Sequence, residues 1–236
     1  MLRALVLQHE PNEGPGLLAS ALEREGFQVL ARLRKVEPGD EDAPLVVVMG
    51  GPQAAYRASE HPFLLDELRL LRARLERGLP SLGVCLGSQL LAAAAGARVF
   101  RGERGVELGP LPVQRTVEGS KDEVFFTLPP RFVALHWHGD TWDEVPGATL
   151  LASTERYPQQ AFRVGLSYGL QFHPELTGSM FLEWADAAPE EVAAAGVDRA
   201  SLDMVRAFPQ GEPAISTLLE GLARFFARKA AMPRRP

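Results

Sequence analysis

The chain has 236 residues and a mass of 25.7 kDa, with 46% apolar and 23% charged residues, a formal charge of -5 and a pI near 5.6. That is enough chain for one self-sufficient core, and the acidic balance speaks against nucleic acid or another polyanionic partner. A single cysteine excludes an intrachain disulfide and a multi-thiolate zinc site.

The N-terminus MLRALVLQH holds only a short apolar run, which reads as a first strand rather than a signal peptide. No apolar stretch is long enough to span a bilayer. The expectation is a cytoplasmic protein without a membrane partner, its thiol kept reduced. Basic residues cluster only near the end, as Arg228–Lys229 and Arg234–Arg235.

In chain order, Leu2–Leu7 reads as a buried strand and Leu17–Glu25 as a helix ended by Gly26. Phe27–Leu33 and the β-branched run Leu45–Met49 read as strands. The Leu64, Leu68, Leu71 and Leu75 spacing marks a helix over Phe63–Glu76. Ser81–Val84 and Leu86–Ala95 add a strand and a small-residue helix. This rhythm implies a parallel sheet with helices on both faces. From Gly109 to Gln171 the pattern changes to short runs between turns: Pro112–Val117, Phe132–His136, Leu150–Ser153, Ala161–Val164 and Ser167–Phe172. Those runs suggest mixed or antiparallel strands. After Pro174 the chain turns helical, over Ser179–Ala187, Pro189–Ala195, Ala200–Ala207 and Ile215–Ala230.

The lone cysteine sits in GVCLGSQ, residues 83 to 89, between a strand and a helix. Gly83 leaves room beneath the turn, and Gly87 permits a close approach in the first helical turn. A cysteine there has its Sγ lifted above the sheet edge, and the helix N-terminus favours the thiolate. The backbone N–H of Leu86 can face a developing oxyanion, as in a nucleophile elbow. A cysteine merely packed in an alanine-rich core is the plain alternative. A nucleophile needs a base and a group that orients the base. His173 and Glu175, in YGLQFHPEL, stand two apart at a strand end, so both side chains lie on one face. Pro174 stiffens the backbone between them. A surface histidine and glutamate at a strand end is the competing reading.

GVCLGSQ, MGGPQ at 49 to 53, HGD at 138 to 140 and QFHPE at 171 to 175 together resemble class I glutamine amidotransferases, in particular stand-alone relatives of the glutaminase domain of GMP synthase. The similarity runs from about residue 2 to 185. It implies a flavodoxin-like α/β three-layer sandwich with a mostly parallel central sheet, a second small mixed sheet and a helical C-terminal segment. It divides the chain into an amidotransferase domain over residues 1–190 and a helical extension over 191–236 packed on it. It also implies a triad of Cys85, His173 and Glu175, and an oxyanion hole from the N–H groups of Gly51 and Leu86. Substrate contacts are implied at Gln89 and, in the neighbouring pocket loop, at His138, Gly139 and Asp140. The implied substrate is L-glutamine, hydrolysed to glutamate and ammonia without cofactor or metal. Ser88 departs from the family, where many relatives carry histidine or another bulky residue. No synthetase region follows Glu175, so a separate synthetase subunit is the expected ammonia acceptor. A free-standing hydrolase of γ-glutamyl amides or peptides and a non-catalytic binding protein are the alternatives.

Other features carry less. His136 and His138 offer two imidazoles on one strand face, but no third metal ligand of suitable spacing is evident. His9 reads as a cap on the sheet, near the active-site edge, and His61 as structural or exposed. MGGPQ lacks the Lys-Ser/Thr of a phosphate-binding loop. The loop at 54 to 62 is placed to cover the pocket, with Tyr56 or Arg57 reaching a ligand. Leu218, Leu222, Phe225 and Phe226 form an apolar helical face suited to the core or to a partner.

Overall fold

The computed structural model describes residues 2–198, 202, 205–209 and 212–232. The strands are β1 (Leu2–Gln8), β2 (Phe27–Leu33), β3 (Leu45–Val48), β4 (Ser81–Val84), β5 (Val99–Arg101), β6 (Glu107–Arg115), β7 (Arg131–His138), β8 (Asp140–Trp142), β9 (Thr149–Ser153), β10 (Ala161–Val164) and β11 (Ser167–Leu170). The helices are α1 (Gly16–Arg24), α2 (Pro62–Glu76), α3 (Leu86–Ala94), α4 (Gly178–Ala187), α5 (Pro189–Ala194) and α6 (Pro213–Ala230). The helix expected over 200–207 lies partly outside the described residues, as does the basic pair Arg234–Arg235.

Nine strands form one sheet in the order β2-β1-β3-β4-β11-β10-β9-β6-β7. The first five are parallel, and β10, β9, β6 and β7 continue the sheet antiparallel. The second sheet is small, with β5 antiparallel to β8. This is the expected flavodoxin-like α/β fold. Residues along the parallel strands alternate between two cores. Ala4, Val6, Leu45 and Val47 face one side, and Leu5, Leu7, Val46 and Val48 the other. Both sides are covered, which is why these strands are apolar throughout. α2 and α3 cover one face; α1, α4 and α6 cover the other. Leu218, Leu222, Phe225 and Phe226 of α6 are fully buried, so the apolar face on that helix belongs to the core. Phe225 and Phe226 meet the Tyr168 ring edge-on at centroid distances of 5.2 and 6.1 Å.

Arg74 of α2 is fully buried. It donates to the carbonyls of Glu41, Ala43 and Pro80 and to Ser81 Oγ, at 2.6 to 3.0 Å, tying α2 to the starts of β3 and β4. No described helix is long and apolar enough to cross a membrane.

Candidate active site

β4 and β11 are parallel neighbours, with Val84 opposite Leu170. The residues just past their C-terminal ends therefore meet, although they lie far apart in sequence. Cys85 follows β4 with φ 50° and ψ -112°, a conformation rare for a residue with a side chain. Such a residue costs of order 1–3 kcal/mol and persists only where its surroundings enforce it. Here they do. The Cys85 N–H donates to the Leu170 carbonyl (2.8 Å) and the Gly87 N–H to the Met49 carbonyl (3.1 Å). A Cβ on Gly83 would sit 2.3 Å from the Gly87 oxygen, and one on Gly87 2.0 Å from the Val48 oxygen. The turn closes only because both positions are glycine. Ser88 Oγ donates to the Cys85 carbonyl (2.6 Å); it braces the turn rather than facing the thiol.

Past β11 the chain crosses toward β7, where the His173 N–H donates to the Leu135 carbonyl (2.8 Å). The Glu175 carbonyl accepts from Leu17 N–H at the start of α1 (2.9 Å). Gly16 admits that contact, since a Cβ there would lie 2.3 Å from the same oxygen. His173 Nδ1 bonds Glu175 Oε1 at 2.7 Å, both side chains being buried. Burial disfavours the imidazolium, but Glu175 and Cys85 outweigh it and raise the His173 pKa well above its ordinary value. Nε2 makes no aligned hydrogen bond, while the Cys85 thiol donates weakly to the Trp137 carbonyl at 3.7 Å. Nucleophile and base are close neighbours whose bond is not closed, as is common before substrate binds.

Gly50 and Gly51 enter from the end of β3. A Cβ on Gly50 would meet His173 Cε1 at 3.1 Å and Cys85 Cβ at 3.5 Å. The N–H groups of Gly51 and Leu86 are not among the backbone donors already engaged. Both residues line a cavity of about 470 Å3 with Cys85, His173, Gln89, His138, Gly139 and Asp140. Every position expected at the site is thus brought together. Gln89 Nε2 donates to Gln171 Oε1 at 3.2 Å. Arg101 covers Gly139 and pairs with Asp140 at 3.4 Å. Burial raises the Asp140 pKa against that pairing.

Tyr56 and Arg57 do not line the cavity. Their segment coils into 3-10 turns over Ala55–Glu60 and buries Ala55 and Ala58 instead. His61 is partly buried and lies 5.7 Å from the Phe63 ring. His9 is not a cap: it is fully buried and bonded on both ring nitrogens. The pocket also holds residues that sequence reasoning missed, among them Glu13, Gln53, Arg101, Trp137, Trp184 and Glu191. Burial raises the Glu13 pKa, with nearby His173 opposing it. Trp184 stands edge-on to His173, ring centroids 5.3 Å apart. The pattern GSMFLEWADA, with Trp184 on the inner side of α4, was the one available signal.

A third candidate metal ligand does exist beside His136 and His138. Glu107 of β6 faces His138 in register, and one ligand atom from each of the three residues lies within 4.8 Å of the others. Glu107 is nonetheless satisfied by protein. It accepts from Thr154 Oγ1 and Gln160 Nε2 at 2.6 Å each and contacts His138 Nε2 at 3.0 Å. His138 Nδ1 donates to the Asp140 carbonyl at 3.1 Å. The trio therefore reads as a brace that fixes the His138–Asp140 wall of the pocket. Burial and the His138 neighbour push the His136 pKa down to about 3.

Comparison with known proteins agrees with this geometry. The family model described as glutamine amidotransferase class-I matches residues 19–182. A GMP synthase from Thermomicrobium roseum is 38% identical over 132 residues, 56% of this chain but 23% of that protein. This chain thus spans about a quarter of that relative's length. A glutamine-hydrolyzing GMP synthase subunit from Ignicoccus hospitalis is 31% identical over 168 residues, covering 68% of this chain and 82% of the relative. A glutamine amidotransferase crystal structure from Thermotoga maritima superposes with a TM-score of 0.85 at 31% identity, over 95% of this chain and 98% of the other. The chain belongs to the class-I glutamine amidotransferase family of enzymes.

Proposed function

We propose that the protein hydrolyses the side-chain amide of L-glutamine to glutamate and ammonia through a thioester on Cys85. The observation that carries this reading is the meeting of Cys85, His173 and Glu175 at the ends of adjacent strands, in a cavity bordered by two unengaged N–H groups. The Cys85 thiolate attacks the carboxamide carbon, forming an S–C bond and an oxyanion. The N–H groups of Gly51 and Leu86 hold that oxyanion; one such donor is worth roughly 3 kcal/mol in other hydrolases. His173, as imidazolium, protonates the nitrogen as the C–N bond breaks, and ammonia leaves. Water, deprotonated by His173, then attacks the thioester, the C–S bond breaks, and glutamate is released. Glu175 fixes the imidazole orientation and supports its charge.

Gln89, His138, Gly139 and Asp140 shape the substrate side of the pocket, with Asp140 and Glu13 suited to an ammonium group and Arg101 to a carboxylate. The amidotransferase unit is taken as residues 1–190, with 191–236 a helical extension. A separate synthetase subunit is the proposed ammonia acceptor, supported by similarity to a relative that is itself named as one subunit of GMP synthase. A second reading, hydrolysis of larger γ-glutamyl amides or peptides, is favoured by the cavity, whose 470 Å3 exceeds one glutamine molecule. Glutamate release from L-glutamine by the purified protein, with Cys85→Ala as control, tests the proposal. Turnover abolished by the substitution supports it. Absence of turnover, together with failure of a glutamine-like electrophile to label Cys85, overturns it.

A further inference from the structure

His9 ends the loop side of β1 and is 0% exposed. Its Nδ1 lies 2.7 Å from the Gly50 carbonyl oxygen, and its Nε2 lies 2.9 Å from Glu67 Oε2 on α2. A carbonyl can only accept, so Nδ1 carries a proton. Glu67 is itself 0% exposed, so the pair shares a second proton across Nε2 and Oε2. Burial works against a charged His9, but the Glu67 bond and charge outweigh it, with help from the Gly50 carbonyl, and raise its pKa. The ring is held on every side. Arg34 Nε donates to the His9 carbonyl at 2.7 Å, and the Phe63 ring, one turn before Glu67, lies 5.9 Å away.

Gly50 and Gly51 share one peptide unit. In a trans peptide the C=O and the following N–H point in opposite directions. The Gly50 oxygen points at buried His9, which is outside the cavity lining, while Gly51 lines the cavity beside Cys85. The same plane therefore aims the Gly51 N–H at the pocket. Gly51 has room for no other arrangement of this histidine, since a Cβ on it would lie 2.8 Å from His9 Cβ. Two successive glycines make this peptide easy to rotate, so its orientation has to be imposed from outside.

We propose that His9, itself clamped by Glu67, is the positioning residue of the oxyanion hole: it pins the Gly50 carbonyl away from the pocket and so keeps the Gly51 N–H turned toward Cys85. The inference rests on the reading of Gly51 as an oxyanion donor. His9 touches no substrate and acts only through the peptide it holds.

The test compares His9→Leu with His9→Asn. The two side chains have nearly the same shape, but only asparagine has an N–H where Nδ1 stood. Loss of one oxyanion donor lowers kcat by roughly 100- to 1000-fold. The expected result for His9→Leu is a kcat reduced toward that range with KM within about twofold, since the hole acts on the transition state. His9→Asn is expected to recover most of the loss. Crystal structures of both variants supply a readout independent of substrate: the Gly50 carbonyl turned into the pocket, or split between orientations, in His9→Leu and held in place in His9→Asn. If His9→Leu does not fold, His9→Phe, which keeps a ring beside Phe63 without a donor, carries the same expectation. A folded donor-free variant with the peptide unmoved overturns the proposal, as does one with kcat within about threefold of wild type. If wild type neither turns over glutamine nor has Cys85 labelled, the functional reading fails, and the peptide orientation alone decides the latch.

Discussion

Replacing Gly87 by alanine separates the catalytic from the merely structural demands on the cysteine turn. The added methyl would lie 2.0 Å from the Val48 carbonyl oxygen, 2.5 Å from its carbon and 3.0 Å from Val48 Cβ. Real contacts of this kind do not fall below 3.0 Å, so the first turn of α3 must retreat from β3 by about 1 Å. Neither side yields easily, because the clash is with strand backbone in the middle of the sheet. Overpacking of this size costs about 1–3 kcal/mol. The same retreat carries the Leu86 N–H off the oxyanion and breaks the 3.1 Å bond from Gly87 N–H to Met49. A misplacement of ~1 Å at a reacting group costs about 100-fold. Gly78→Ala is the control. Gly78 has nothing within 4 Å and φ +62°, so alanine there costs roughly 1–2 kcal/mol without approaching the site. Urea denaturation and glutamate release are measured on both. Comparable destabilisation is expected, with kcat down about 100-fold only for Gly87→Ala. Full turnover in Gly87→Ala would show that the helix start does not hold the transition state.

Three further outcomes follow from the charges and the packing. Glu175→Gln removes the carboxylate that raises His173, so the alkaline limb of the pH–rate profile moves down. The stability that Glu175 lends through His173 is fully present below the unfolded histidine value near 6.5 and is lost as pH rises through the raised folded value. Denaturant titrations of wild type and variant across that window read the difference; parallel curves would sink the assignment. His136 is held neutral down to about 3, so below pH 6.5 the unfolded chain binds a proton that the folded one does not. His136→Gln is expected to flatten the acid limb of stability between about 6.5 and 3, by up to roughly 1.4 kcal/mol per pH unit. Arg74→Met strands the carbonyls that the guanidinium serves. At about 1–3 kcal/mol for a buried group left unpaired, it is expected to lower the urea midpoint more than any surface arginine substitution does.

The parallel half of the fold was legible because its strands are buried on both faces and separated by periodic helices. Phe27–Leu33 and Ser81–Val84 begin and end where the pattern places them. The antiparallel half was harder. β6 begins at Glu107, five residues before the expected start, across Gly109, Pro110 and Pro112. Prolines argue against a strand, yet here β7 pairs along β6 on one side while β9 meets it only at Gln114 and Arg115. The prolines occupy the stretch that β9 leaves unpaired, where a missing N–H costs little. β5 and β8 are three residues each, too short for any periodicity. At the site, a glycine-flanked cysteine and a proline-stiffened His-x-Glu carry local signatures. The His9–Glu67 and Glu107–His138 pairs do not, because each joins two segments whose meeting only the folded sheet decides. Single histidines and glutamates in a sequence look alike whether solvated or buried.

The strand order sets a timetable. β4 and the cysteine turn leave the ribosome well before β11, which must insert between β4 and β10 to complete the sheet. Until it does, the Cys85 N–H has no Leu170 carbonyl to hold it, and neither His173 nor Glu175 exists beside the thiol. A nascent or truncated chain thus carries a nucleophile without its proton donor. The chemistry switches on only when the last central strand closes the sheet, which makes ammonia release a report that the fold is complete.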